Sequence, residues 1–234
     1  MRQRPHALDL PLTAKARCGE AEDHCRTNGL WPVLGTDEVG RGPLAGPVVT
    51  AAVILRDDAS LPGLNDSKLL SHAQRVVLGP LIEQQAIAFA VVFGDVGQID
   101  SRNILGASLW AMGLAVAQVQ EQLRQRGVAD PAVVLVDGHM PIPGLTLLQK
   151  TVVKGDSRSR AIAAASILAK LARDAYMEAL EIRYPGYGFA VHKGYPVPQH
   201  LAALTRLGPC PEHRRSFAPV AALLAAGKAQ GSLF

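Results

Sequence analysis

Five apolar, β-branched runs space out this 234-residue chain, and their order constrains the fold more than any other feature. Residues 33–37, 48–55 and 87–93 read as strands, the first two joined by a Gly/Pro-rich connection. Residues 132–136 and 145–153 are two more, separated from the first three by a long helical stretch at 104–125. In that stretch Leu105, Leu109, Met112, Val116 and Val119 recur near helical spacing. A second long helix is expected over 161–180, and a shorter one after Ser71 that Gly79-Pro80 should break or kink. Past Pro185 the pattern shortens to small helices. Strands first, then strands alternating with helices, predict an α/β chain with a mixed sheet and helices packed on it.

The polar residues that interrupt this pattern sit where regular elements stop. Asp37 and Glu38 close the first strand, immediately before Gly40-Arg41-Gly42-Pro43. Asp137 closes the apolar run 132–136, and Asp156 follows Lys154-Gly155 to open the helix at 161–180. Sites in α/β folds are built at strand ends and on the loops that follow. Four carboxylates brought together there would repel unless a cation sat among them. With no His or Cys nearby, oxygen-only ligation favours Mg²⁺ or Mn²⁺ over zinc, and two such ions suit phosphodiester hydrolysis. Each residue also has a plainer reading. Asp156 can be a helix cap, Asp137-Gly138 a turn, and Asp37-Glu38 solvated charge. Neighbouring side chains on an ideal strand face opposite ways, so Asp37 and Glu38 reach one point only if the chain bends. Gly40, Gly42 and Gly46 allow close backbone approach and offer N–H groups to phosphate or hydroxyl oxygens. The segment lacks the GK[ST] ending of a P-loop, which argues against a nucleoside triphosphate.

Composition narrows the class. At 48% apolar and 19% charged residues the chain can bury a core. Lys and Arg exceed Asp and Glu by 24 to 20, a mild excess that permits a polyanionic partner without requiring one. Cys18, Cys25 and Cys210 have no CxxC spacing, which fits a reducing compartment better than a disulfide framework. The first ten residues contain no apolar run of signal-peptide type, and no segment is apolar enough for a bilayer span. The expectation is a cytoplasmic monomer. Residues 1–30 read as a polar extension on which Cys18, His24 and Cys25 are unpaired groups on a mobile arm rather than ligands.

The run from Asp37 to Val48, DEVGRGPLAGPV, resembles type 2 ribonuclease H (ribonuclease HII) at essentially every place. The resemblance continues through Asn65-Asp66-Ser67-Lys68, Val136-Asp137-Gly138 and Lys154-Gly155-Asp156 with the helix from Ala161 to Lys170. It runs on through Tyr187-Gly188-Phe189, His192-Lys193-Gly194-Tyr195 and His213-Arg214-Arg215-Ser216-Phe217. It implies an RNase H-like five-stranded mixed sheet flanked by helices, with a small C-terminal helical region. The expected division is an extension over 1–30, a catalytic domain over 31–184, a helical substrate-binding region over 185–225 and a flexible tail over 226–234.

The resemblance further implies Asp37, Glu38, Asp137 and Asp156 as metal-binding carboxylates, and hydrolysis 5′ of a ribonucleotide to leave a 3′-hydroxyl and a 5′-phosphate. Its substrates would be RNA–DNA hybrids and single ribonucleotides in duplex DNA, a place in ribonucleotide excision repair. Gly40-Arg41-Gly42 would read the ribose 2′-hydroxyl. Tyr195 would stack on the sugar that follows, and Lys68, Lys193, Arg214 and Arg215 would hold phosphates. Leu69 stands where the family usually has lysine, and Val197 where it usually has threonine. A resolvase-like nuclease would share the carboxylates without needing Gly40-Arg41-Gly42 and Tyr195, and an inactive duplex-binding module would have lost a carboxylate. Finally Gln230, Leu233 and Phe234 resemble the terminal peptide by which many bacterial repair proteins dock on the sliding clamp. The alternative is that Leu233 and Phe234 fold back on the core.

Overall fold

Each of the five runs forms a strand: β1 (Val33–Val39), β2 (Val48–Leu55), β3 (Ala86–Gly94), β4 (Val133–Asp137) and β5 (Gln149–Val152). They build a five-stranded mixed sheet in the order β3-β2-β1-β4-β5, flanked by helices. This computed structural model describes Leu10 and residues 15–231. β1 and β4 run parallel, from Val33 opposite Val133 to Thr36 opposite Val136. β4 and β5 are also parallel, with Asp137 opposite Val152. Val133 to Val136 and all of β2 are buried, as strands covered on both faces should be. Gly35, within β1, lets the start of the helix after β5 lie against the strand. A Cβ at Gly35 would stand 2.3 Å from the Ile162 amide nitrogen.

The helices are α1 (Glu20–Thr27), α2 (His72–Gln85), α3 (Val96–Gln125), α4 (Arg160–Arg183), α5 (Phe189–His192), α6 (Pro198–Leu207) and α7 (Ala218–Gly231). α3 bends at Asn103 (φ 58°, ψ 168°), and its second part begins at Ile104, where the apolar periodicity begins. Of the break or kink expected at Gly79-Pro80, the break does not occur, and α2 continues through Pro80. A capping box at Ser71 anchors its start, and the buried Leu78 and Ile82 hold the chain on either side of the proline. The strand expected over 145–153 is confined to Gln149–Val152.

The reading of a mobile arm is corrected for the part of residues 1–30 that forms α1. α1 lies within that stretch, and its Ala21 and Cys25 are fully buried with Val33, Val133, Leu135, Val152 and Ile162. Its exposed face is charged, which is why the apolar pattern was too short to see. Burial pushes the Cys25 thiol up to about 11, so it is an inert core residue and not a ligand.

By chain contacts the described residues fall into two units. One comprises residues within 1–38, 50–92 and 109–171, and the other residues within 39–49, 93–108 and 172–234. The second unit therefore takes in a loop from the N-terminal part of the chain as well as the C-terminal helices. Among the described residues no helix is long and apolar enough to cross a membrane.

Candidate active site

Strand register brings the first two carboxylates together. Thr36 pairs with Val136, so the next residue on each of two neighbouring parallel strands is an aspartate: Asp37 on β1, Asp137 on β4. Asp137 Oδ1 accepts the Gly155 amide at 2.7 Å, which ties the turn after β5 to the end of β4. That turn is a single 3₁₀ turn, Gly155–Ser157, entered through a left-handed Lys154, and it carries Asp156. Asp156 thus precedes α4 and does not cap it, because three residues separate it from Arg160. Asp37 and Asp156 are buried, at 4% and 3% exposure.

Burial raises the Asp37 carboxyl well above the usual range, and the charges of Asp137 and Glu38 add to the rise. A Ser166 hydroxyl and the Glu38 amide, 2.7 Å from Oδ1, pull it back down. Ser166 Oγ lies 2.8 Å from Ser67 Oγ, so Ser67 completes a short hydroxyl chain behind Asp37. Burial also raises Asp156, while Lys68, whose Nζ donates to Oδ2 at 3.1 Å, opposes the rise. β1 runs on through Val39, and the chain turns at Gly40 (φ +95°), the first of the glycines that follow the acidic pair. Glu38 is half-buried. Among the described residues no three Asp, Glu, His or Cys side chains are gathered round one point as ligands.

The second unit holds the glycine loop. Tyr195, 44% exposed, lies against Gly42, where a Cβ would stand 3.4 Å from its ring. The Tyr195 carbonyl accepts from His200 Nδ1 at 2.9 Å. His200 Nε2 in turn lies 3.1 Å from His213 Nε2, and His213 Nδ1 accepts the Cys210 amide at 3.0 Å. These roles require both imidazoles neutral, and burial lowers His213 to about 4. In the sequence His213 figures only as part of the resembling segment, with no role, and His200 not at all. Only the fixed ends of the chain they form, a carbonyl and an amide, reveal them.

Arg214 is the clear departure from expectation. It is fully buried, and its guanidinium donates to the carbonyls of Gly40, Arg41 and Gly46, so it is not a phosphate ligand. Lys193 Nζ donates to Glu178 at 2.8 Å, and its backbone is left-handed at φ 51°. Arg215 and Arg41 are exposed, and Asp100 fixes the turn at Arg215 by accepting from its amide and from Ser216. The side chain of Gln230 is undescribed, and Leu233 and Phe234 lie outside the described residues.

The ribonuclease HII family model matches residues 34–220. The chain belongs to the ribonuclease HII family. It is accordingly a ribonuclease, a hydrolase of the ribonuclease H type. Its fold is similar to that of ribonuclease H2 from Pyrococcus horikoshii OT3, with a TM-score of 0.68 and 23% identity over 84% of this chain and 98% of that one. A ribonuclease HII from Archaeoglobus fulgidus, solved as a complex with PCNA, is 26% identical over 80% of this chain and 95% of its own, with a TM-score of 0.63. Bst-RNase HIII, solved with Mn²⁺, shares the fold at 20% identity and a TM-score of 0.67, covering 84% of this chain and 70% of that one.

Proposed function

We propose that this ribonuclease cuts the phosphodiester 5′ of a ribonucleotide, in RNA–DNA hybrids and at single ribonucleotides in duplex DNA, leaving 3′-hydroxyl and 5′-phosphate ends. The observation that carries the reading is the β1–β4 register, which makes Asp37 and Asp137 neighbours and, through Gly155, draws in the turn bearing Asp156.

The residues fit a divalent-ion pair in kind. Asp37, Glu38, Asp137 and Asp156 are an all-oxygen donor set, and the like charges that raise Asp37 are what a bound cation would relieve. Mg²⁺ or Mn²⁺ held by these four would activate a water and stabilise the leaving 3′-oxygen. The relative from Bst, at lower identity, was solved with Mn²⁺. The chain's own groups do the rest. Gly40, Arg41 and Gly42 receive the ribose 2′-hydroxyl and the adjoining phosphate. The ring of Tyr195, exposed beside Gly42, stacks on the next sugar. Lys68, with a side chain 77% exposed, and Lys193 and Arg215 neutralise backbone phosphates.

A labelled DNA duplex with and without one ribonucleotide tests the reading directly. Cleavage at the ribonucleotide, with 3′-hydroxyl and 5′-phosphate products and an intact all-DNA control, is the expected result. Equal cutting of both duplexes, or of neither in Mg²⁺ or Mn²⁺, refutes it.

A sliding clamp is the proposed partner, held through Gln230, Leu233 and Phe234, and the Archaeoglobus relative was solved with PCNA. Leu and Phe anchors with a hydrogen-bonding amide suit a groove of that kind. Deleting residues 230–234 should abolish clamp binding in a calorimetric titration and leave cleavage of short duplexes unchanged. Unaltered binding rules the peptide out.

A further inference from the structure

Behind the glycine loop, Arg173 and Arg214 direct every guanidinium nitrogen to a backbone carbonyl. Arg173 and Arg214 are both fully buried. Arg214 donates from Nε to Gly46 O at 3.0 Å, from Nη1 to Arg41 O at 3.0 Å and from Nη2 to Gly40 O at 2.6 Å. Arg173 donates from Nε to Pro47 O at 3.0 Å, from Nη2 to Ala45 O at 3.2 Å and from Nη1 to Lys193 O at 3.0 Å. The Arg214 amide also donates to Leu44 O at 2.8 Å. Six of the eight carbonyls from Gly40 to Pro47 are thereby held.

A trans peptide points its N–H opposite to its C=O. Pulling the carbonyls of Gly40 and Arg41 onto Arg214 therefore turns the amides of Arg41 and Gly42 the other way, at two exposed residues. Gly40 is required for this approach: a Cβ there would stand 2.1 Å from Arg173 Nε, and its φ is +95°. Lysine cannot substitute, because only the guanidinium has donors in a fixed planar fork. We infer that Arg173 and Arg214 are positioning residues for ribonucleotide recognition, holding the Gly40–Pro47 loop by its carbonyls so that the Arg41 and Gly42 amides face the ribose and phosphate. Neither arginine touches substrate. The inference rests on the loop's proposed reading role.

The test uses full-length Arg214→Lys and Arg173→Lys, each keeping the charge and losing the fork. Affinity is measured without divalent ions for a duplex containing one ribonucleotide and for the same all-DNA duplex, alongside thermal melting. Wild type should prefer the ribonucleotide duplex. Each folded lysine variant should lose that preference by about ten-fold, and guanidinium ion at millimolar concentration should restore part of it to Arg214→Ala. A folded lysine variant with wild-type preference overturns the inference. So does loss of folding in both lysine variants, which would make the arginines purely structural. If wild type itself shows no preference, the proposed function has failed instead, and the arginine result is read only against that.

Discussion

The two units store opposite charge. In the first, burial gathers acids: Asp37 and Asp156 are nearly inaccessible, and each is pushed up by desolvation and by neighbouring carboxylates. In the second, burial gathers bases: Arg173 is lowered to about 10 and Arg214 to about 9 by desolvation, and Arg173 lowers Arg214 further. Removing charge from water is costly in either sign. The second unit offsets the cost internally, with six carbonyls on two guanidiniums. The first does so only in part, through Lys68, Ser166 and backbone amides. The acidic region is thus neutralised only in part by the protein's own groups, while both guanidiniums of the basic region are fully bonded. That is the division expected between a centre that binds cations and a loop that must hold one shape.

The largest effect should come from breaking the acidic region. Asp137→Asn keeps an oxygen for the Gly155 amide but removes the charge beside Asp37. Cleavage should fall by about a thousand-fold or more, equivalent to roughly 4 kcal/mol, with melting and duplex binding little changed. A folded Asp137→Asn enzyme that cuts at the wild-type rate in Mg²⁺ sinks the assignment.

A smaller loss is expected on the recognition side. Tyr195→Ala leaves the backbone carbonyl that His200 holds and removes only the exposed ring. Its rate on a single embedded ribonucleotide should drop by about ten-fold, or roughly 1.4 kcal/mol. An unchanged rate on that duplex would reduce Tyr195 to a packing residue.

How much of this was legible in the sequence differs between the regions for a physical reason. The strands that end in Asp37 and Asp137 announce themselves, because β-branched runs and a terminal acid are local patterns. Only pairing adds that the two aspartates are neighbours. Arg214 was misread because the resemblance carried it over, together with Arg215, as a phosphate contact. What buries it is a loop some 170 residues away, and no spacing rule reports that. The same holds for the pairing of His200 with His213, and for α1, whose buried apolar residues are only Ala21 and Cys25.

The smallest effect, and the sharpest contrast, is the sign of the pH dependence. Asp37 has a raised folded pKa, so the folded state binds its proton more tightly, and this carboxyl favours the fold at low pH and opposes it as pH rises. His213 is the reverse. Its folded pKa of about 4 lies below the ordinary 6.5, so between those values the unfolded chain binds more protons, and stability grows as pH rises through that window. Two variants separate the slopes. Asp37→Asn should melt above wild type at neutral pH without divalent ions, with the advantage fading as acid protonates Asp37 in the wild type. His213→Asn should melt below wild type at pH 7.5, having lost its bonds to His200 and to the Cys210 amide, with the deficit shrinking toward pH 4 as the wild type incurs the cost of a buried imidazolium. Differences of a few degrees are expected, since about 1 kcal/mol moves the melting point of a domain this size by about 2–4 °C. Melting curves that stay parallel to wild type across pH 4–7.5 for both variants would mean that neither buried group sets the stability of its unit, and the contrast of charge would lose its thermodynamic basis.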